Sequence, residues 1–438
     1  MHKTLFSLFA LFSSCFILLL GNGLINVLLP VRMGLDGAGT DTIGMVLSLY
    51  FVGLLLGAIY SINLIRRAGH VRMFAGCVAL GAVSILVCSL YPESLLLGAM
   101  RIILGFCNAC AFTAMESWLS HSSTKKTRGK ILAVYNAVVL SGLFAGQFFM
   151  NLADPQQPTL FVIAGIILCA AVIPIVLSSH SGPIMDEVSS MSLSTLFKTS
   201  PLGVVSCFVS GVIYASIFNL LPVFAKEYSI VEFQLSLYMG AAIFGAFILQ
   251  FPVGYLSDRY DRRSVLLLLL FISALADVAV TILAPLNMTP VLFLVTAITS
   301  GIIACTYPLS ISEAFDRLRQ NEMAAAMGCM ILAFAFGGII GPYAASVVMK
   351  TFGNTSLFYF LAIIQLLLAG FVIYRMVKRR ALPVVEQENF VMQGTAISSA
   401  IDLDPRIDYA ESSKTTDPDV KSTVEFYPAG GEKNNLSS

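Results

Sequence analysis

The sequence predicts an all-α membrane protein: twelve transmembrane helices in two six-helix bundles related by pseudo-two-fold symmetry, with both termini cytoplasmic. Three observations carry this. Of 438 residues, 57% are hydrophobic and 12% charged, with mean hydropathy +0.85, too little polar surface to clothe a soluble fold of this size. Twelve apolar stretches approach the roughly 20 residues that a helix needs to cross hydrocarbon. The chain also repeats itself: Leu28-Leu29-Pro30-Val31 closes the first stretch and Leu220-Leu221-Pro222-Val223 the seventh, 192 positions later. Arg67 recurs as Arg259, Glu116 as Glu313, and Gly142-x-x-x-Gly146 as Gly337-x-x-x-Gly341. An even number of spans per half keeps both halves in one orientation, and such repeats hold solutes between them near the midplane.

The first half, residues 1–178, carries stretches near 5–29, 42–64, 72–90, 94–118, 129–153 and 158–178. Lys3 ahead of the first apolar run resembles a secretory signal. Cleavage is rejected, because residues up to Pro30 are the first copy of the span repeated at Pro222. Residues 179–202, Ser-rich with Gly182-Pro183, form a cytoplasmic linker. The second half, 203–377, carries stretches near 203–225, 234–256, 264–286, 290–312, 325–349 and 355–376. From 378 to 438 the chain mixes Asp, Glu, Ser, Thr and Pro without helical or strand period. It cannot bury enough apolar surface to order itself and is expected to be a disordered cytoplasmic tail.

Orientation follows from the cationic residues, which cytoplasmic loops retain. One set of loops holds Lys3, Arg66, Arg67, Arg72, Lys125, Lys126, Arg128, Lys130, Lys198, Arg259, Arg262, Arg263, Arg317, Arg319, Lys378, Arg379 and Arg380; the other holds only Arg32, Lys226 and Lys350. The net charge is +1, so these residues serve topology and no nucleic-acid partner is expected. All nine cysteines lie in apolar stretches, which excludes an extracellular disulfide framework. Cys107-x-x-Cys110 places two thiols on one helical face, but no His or carboxylate completes a metal site, and small packing residues are the reading.

The loop after the eighth stretch brings a family into view. Gly254-Tyr-Leu-Ser-Asp258-Arg259-Tyr-Asp-Arg262-Arg263 resembles the Gly-x-x-x-Asp-Arg-x-Gly-Arg-Arg motif of the major facilitator superfamily, with Asp261 where the second glycine is usual. The first-half copy keeps Arg67 and Gly69 but has Ile62 and Arg66 in the first-glycine and aspartate places, so the aspartate latch does not carry over there. Arg101-x-x-x-Gly105 resembles a second superfamily motif. Glu116-Ser117 with Arg128-Gly129, Gly142-x-x-x-Gly146-Gln147 and Gly337-x-x-x-Gly341-Pro342 are most similar to the YcaD-type bacterial transporters. The resemblance covers about residues 5–376 and implies two bundles rocking about a cavity lined by spans 1, 4, 7 and 10.

Polar residues fall on those helices. Arg101 and Asn108 in span 4 lie within about 20° of each other at 100° per residue. Span 1 carries Asn22 and Asn26, span 7 Tyr214 and Asn219, and span 10 Thr299, Thr306, Tyr307, Ser310 and Glu313. Beside lipid these groups would leave donors unpaired, so they face protein or water. For the asparagines, packing between helices and solute contact are both open. For Arg101, a bond to carbonyls of span 1 or 2 competes with binding an anionic solute.

Glu116 and Glu313 stand near cytoplasmic helix ends, within reach of Arg67, Arg128 and Arg259. A carboxylate paired with arginine holds its proton poorly, so with Gly69 and Asp258 these residues are read as a cytoplasmic gate that closes when the cavity faces outward. Asp277, the acidic residue well inside a span, is read as held by a neighbouring helix, with proton coupling through it a minority alternative. Gly142, Gly146, Gly337 and Gly341 let helices approach and slide, and Pro342 permits a kink. Bulk at Gly146 or Gly341 is expected to block cycling without preventing insertion.

No nucleophile motif or phosphate-binding glycine loop is present, which disfavours an enzyme and ATP-driven transport. The expected function is secondary transport of a small solute by alternating access in a bacterial cytoplasmic (inner) membrane, with proton coupling as one option. No cofactor or metal is expected, and the protein should function as a lipid-embedded monomer. Phe112, Phe218 and Tyr307 keep open efflux of amphipathic drug-like compounds, and the tail keeps open a membrane sensor.

Overall fold

The computed structural model describes residues 2–91, 93–123, 127–177, 191–286, 288–378 and 382–393, together with 404 and 406. Twelve helices among them are long and apolar enough to cross a membrane: Leu8–Leu35, Thr40–Ala68, His70–Leu90, Ser94–His121, Arg128–Leu152, Thr159–Val176, Pro201–Glu227, Glu232–Arg259, Arg262–Leu286, Thr289–Phe315, Met323–Phe352 and Ser356–Lys378. These are spans 1 to 12. Most are a few residues longer than the apolar stretches, because the polar flanks continue the helix past the hydrocarbon. Where a reversal must be tight, glycine supplies it. Gly69 has φ +80 between spans 2 and 3, and its N–H bonds the Ile65 carbonyl at 2.8 Å, closing one helix a single residue before the next begins.

The repeat read from the sequence is present in the packing. In the first half span 1 packs on spans 5 and 6, span 2 on 4, and span 3 on 4 and 6; in the second, span 7 packs on 11 and 12, span 8 on 10, and span 9 on 10 and 12. Each contact recurs six spans later, the signature of a pseudo-two-fold. The halves meet chiefly through spans 2 with 11 and 5 with 8, a pair of contacts that the same two-fold exchanges.

The loops that carry most of the Lys and Arg residues define a basic face; the opposite end is the far face. Toward the far face the halves are tied directly. Lys350 pairs with Asp41 at 2.8 Å, Lys226 Nζ donates to the Gly34 carbonyl at 3.0 Å, and Ser236 Oγ donates to the Gln147 carbonyl at 2.9 Å.

Within the linker region, Leu193–Thr199 forms a short helix with Leu196 buried. The linker's Gly182 and Pro183, and Lys125, Lys126, Arg379 and Arg380, lie outside the described residues. The tail departs from its expectation: residues 386–393 lie against the bundles, with Val391 and Gln393 buried. Composition predicted no order because the segment has little apolar surface of its own; it is placed instead by hydrogen bonds to helices.

The glycine pairs bring helices into close contact. Gly142 and Gly146 pack span 5 on span 1, where a Cβ at Gly146 would lie 2.9 Å from the Gly23 Cα. Gly337 and Gly341 pack span 11 on span 7, where a Cβ at Gly341 would lie 2.9 Å from the Val212 Cα. Both contacts are internal to a half. Pro342 sits inside the helix of span 11.

Candidate functional site

Between the halves lies a central cavity of about 60 Å³, lined by Asn26, Tyr50, Phe51, Arg101, Gln147, Tyr214, Phe218 and Asn219, with apolar residues of spans 5 and 8. A second, larger cavity of about 910 Å³ opens at the far face, flanked by Pro30 and Gly34 from one half and Pro222 and Lys226 from the other. The duplicated Leu-Leu-Pro-Val segments thus frame its two sides. The two cavities share no lining residue.

Arg101 is 2% exposed. Its Nη1 reaches the Asn26 Oδ1 at 3.5 Å, and its guanidinium lies 4.7 Å from the Tyr50 ring centroid. Its Nε has no partner, and no carboxylate pairs with it among the described residues. A cation held by an aromatic face and one amide is under-compensated, since burying a charge is costly unless it is paired and hydrogen-bonded.

The asparagines behind it form a network rather than a lining. Asn108 Nδ2 donates to Asn22 Oδ1 at 2.7 Å and to Tyr50 Oη at 3.1 Å, while Asn22 Nδ2 donates to the Leu18 carbonyl at 3.0 Å. Spans 1, 2 and 4 are thereby joined, and Tyr50 is fixed over Arg101. Truncation here leaves buried groups unpaired, so Asn108→Leu is expected to cost about 1–3 kcal/mol, read as a lowered unfolding midpoint; an unchanged midpoint would count against the network.

On the other side, Tyr214 stacks near Phe218 with centroids 4.5 Å apart and near Phe334 at 5.8 Å. Tyr307 packs on Phe334 at 4.9 Å, and its buried hydroxyl has no partner. It does not line the central cavity. Nor does Thr306, whose Oγ1 back-bonds the Ile302 carbonyl at 3.1 Å, a common resting place for threonine in a helix. Asn219 lines the cavity, its Nδ2 held by the Ala215 carbonyl at 2.8 Å. Four of the eight residues singled out therefore line it: Asn26, Arg101, Tyr214 and Asn219.

Sequence reasoning missed Tyr50, Phe51 and Gln147. The first two lie on span 2, outside the set of helices expected to line the cavity. Gln147 was visible only as the end of a motif; its Nε2 bonds the Gly23 and Leu143 carbonyls at 3.1 and 3.0 Å, and its Oε1 is buried without a partner.

At the basic face, Glu313 pairs at 2.9 Å with Arg317, in the turn that follows its own helix. Arg259 lies over the Tyr255 ring at 4.2 Å, Arg67 is exposed, and Arg128 is half-buried at the start of span 5. Glu116 accepts from Tyr135 Oη at 3.0 Å. The ties between the halves described above lie toward the other end. Arg262 instead pairs with Asp316 at 2.7 Å, both nearly fully buried. Burial pushes the Asp316 carboxyl up to about 6 against the pull of the Arg262 guanidinium.

Asp277 stands apart from the cavity. Thr299 Oγ1 donates to it at 2.6 Å and Gln365 Nε2 at 2.8 Å, so spans 9, 10 and 12 hold this carboxyl between them.

Twelve spans in two repeated bundles, with a cavity between them that holds a buried arginine, define a secondary transporter and not an enzyme. The sequence profile described as Major Facilitator Superfamily matches residues 11–244 and again 203–401, and the chain belongs to that family. It is 25% identical over 367 residues to a protein of Escherichia fergusonii named uncharacterized MFS-type transporter YcaD, covering 80% of this chain and 91% of that one. A protein of the same name from Salmonella newport is 27% identical over 357 residues, covering 79% and 90%. Among solved structures, the nucleoside transporter NupG superposes with a TM-score of 0.68 at 14% identity, covering 87% of this chain and 100% of that chain. A bacterial homologue of the human lysosomal transporter Spinster, inward-facing and occupied, superposes with a TM-score of 0.69 at 13% identity, covering 87% and 97%. At these identities the two structures speak for the fold. The chain is a multi-pass bacterial inner-membrane transporter of a small solute.

Proposed function

We propose that the solute is anionic or a polar molecule rich in hydrogen-bond acceptors, bound between the halves by Arg101 and moved by alternating access, with the basic face toward the cytoplasm. One observation carries the reading: a buried guanidinium in the central cavity with no carboxylate partner among the described residues. An anion entering this cavity would supply the missing charge and accept from the free Nε, gaining the strength of a charge-assisted bond. Asn26, Gln147 and Asn219 are placed to read its polar groups, while Phe51, Tyr214 and Phe218 cover an apolar part.

That aromatic wall favours a second reading, export of amphipathic compounds. The two separate by stabilisation of the purified protein against a panel of anionic, neutral and cationic metabolites and drugs, because a ligand that prefers the native state raises its apparent stability. Anions should stabilise both the intact chain and Asp277→Asn, and fail to stabilise Arg101→Ala. Hits confined to hydrophobic cations and indifferent to Arg101 would replace the first reading with efflux. Asp277 takes no part in this proposal, and Asp277→Asn should transport normally at every pH and gradient; a pH-dependent loss would return it to the mechanism.

A further inference from the structure

At the basic face, part of the chain's own tail makes hydrogen bonds to both halves. Phe390 N–H donates to the Asp258 carboxylate at 2.7 Å, and Glu388 N–H to the Asp316 carboxylate at 2.8 Å. Arg262 donates to the Glu388 carbonyl. Deeper in, the Gln250 side chain clasps the backbone of Gln393 from both sides, donating to its carbonyl at 2.9 Å and accepting from its N–H at 3.1 Å. All these partners belong to the second half. Asn136, on span 5 of the first half, donates to the Met392 carbonyl at 2.6 Å.

The tip lies well inside the bundle. Asn136 is eight residues into span 5 from Arg128, and Gln250 nine residues before Arg259 at the end of span 8. At 1.5 Å per residue both stand about 12–14 Å in from the basic ends of their helices. Val391 and Gln393 are buried there. Further along the chain, Arg406 Nη1 donates to the Asn389 carbonyl at 3.3 Å and to Ser312 Oγ at 3.0 Å, with its guanidinium 4.6 Å from the Phe315 ring centroid.

We propose that residues 388–393 are a built-in plug: they occupy the passage at the basic face, bridge the two halves there, and hold that face open but blocked, so that transport requires their withdrawal. Alternating access needs the halves to close on each other at this face, and a segment lodged between Asn136 and Gln250 prevents it. Asp258, the aspartate of the loop motif, is engaged by the tail backbone instead. The hold is limited. Both polar atoms of the Gln393 side chain are buried without partners among the described residues, a cost that favours release. The hydrogen bonds use mainly the tail's backbone, so the fit depends on an extended chain with free N–H groups at Glu388, Phe390 and Gln393.

The plug rests on the chain being a transporter, but its test needs no solute, so its failure is separable from failure of the anion reading. Spin labels placed at Lys130 and Tyr260, exposed at the basic face in opposite halves, report the separation of the halves in three proteins: the full chain, a chain ending at Lys378, and Glu388→Pro/Phe390→Pro. The double variant keeps the tail's length, leaves the bundles untouched, and removes the N–H donors to Asp316 and Asp258. The expected result is a single long separation in the full chain and a new, shorter population in both of the others. Identical distributions in all three would overturn the proposal. A shift in the truncated chain alone would also overturn it, because these contacts would then not be what holds the halves apart.

Discussion

Gly341→Leu is expected to prevent accumulation of a folded protein, with a loss of about 3 kcal/mol or more, a large share of a typical stability of about 5–15 kcal/mol. The cause is backbone against backbone. A Cβ at Gly341 meets the Val212 carbonyl and the Ser216 Oγ, and span 7 cannot retreat without opening the second bundle. Gly328, on the same span, has open space within 4 Å of where a Cβ would stand, so Gly328→Leu is the control. The yield of monodisperse protein and its unfolding midpoint should fall in the first and stay level in the second. Equal behaviour would mean that the spans 7 and 11 contact is loose. The same reasoning applies to Gly146 against span 1, and it replaces the expectation of blocked cycling in a well-folded protein.

Arg101→Met is expected to act in the opposite direction on stability while abolishing solute binding. Removing an under-compensated buried charge and refilling its volume with an apolar side chain commonly stabilises by about 1–4 kcal/mol. The ligand-free variant should therefore melt higher than the natural chain, and no anion should raise it further. Sites that hold strain for function show this trade of stability against activity. A variant that melts lower and still responds to anions would show that Arg101 is a structural bond to Asn26 and Tyr50 and nothing more.

The fold was legible because its signal is redundant. A span is a run of some twenty residues, so no single substitution hides it, and the duplicated Leu-Leu-Pro-Val, Arg67 with Arg259 and the glycine pairs fixed the two halves independently. The cavity was legible only where chemistry is expensive. Arg101 stands out in an apolar helix whatever it touches, and it lines the cavity. Asn22 and Asn108 were equally visible but spend their polar groups on each other and on Tyr50, a pairing that one-dimensional spacing does not reveal. Thr306 back-bonds its own helix for the same reason. Tyr50 and Phe51 were hidden because aromatic residues in a membrane helix carry no mark that separates a cavity wall from a packed core. Residues 388–393 were not legible because low hydrophobicity reports only what a segment can bury by itself; a segment held by Asp258, Asp316 and Gln250 borrows its order from helices more than 70 residues away in the chain.

The central claim is that a solute anion is bound by Arg101 between the halves and carried across. Counterflow in proteoliposomes tests it most directly, using an anion that stabilises the natural chain, with Arg101→Lys and Arg101→Met beside it. Exchange that is fast in the natural chain, reduced in Arg101→Lys and absent in Arg101→Met is the result this account predicts. Exchange at one rate in all three would contradict it and place the solute elsewhere in the fold.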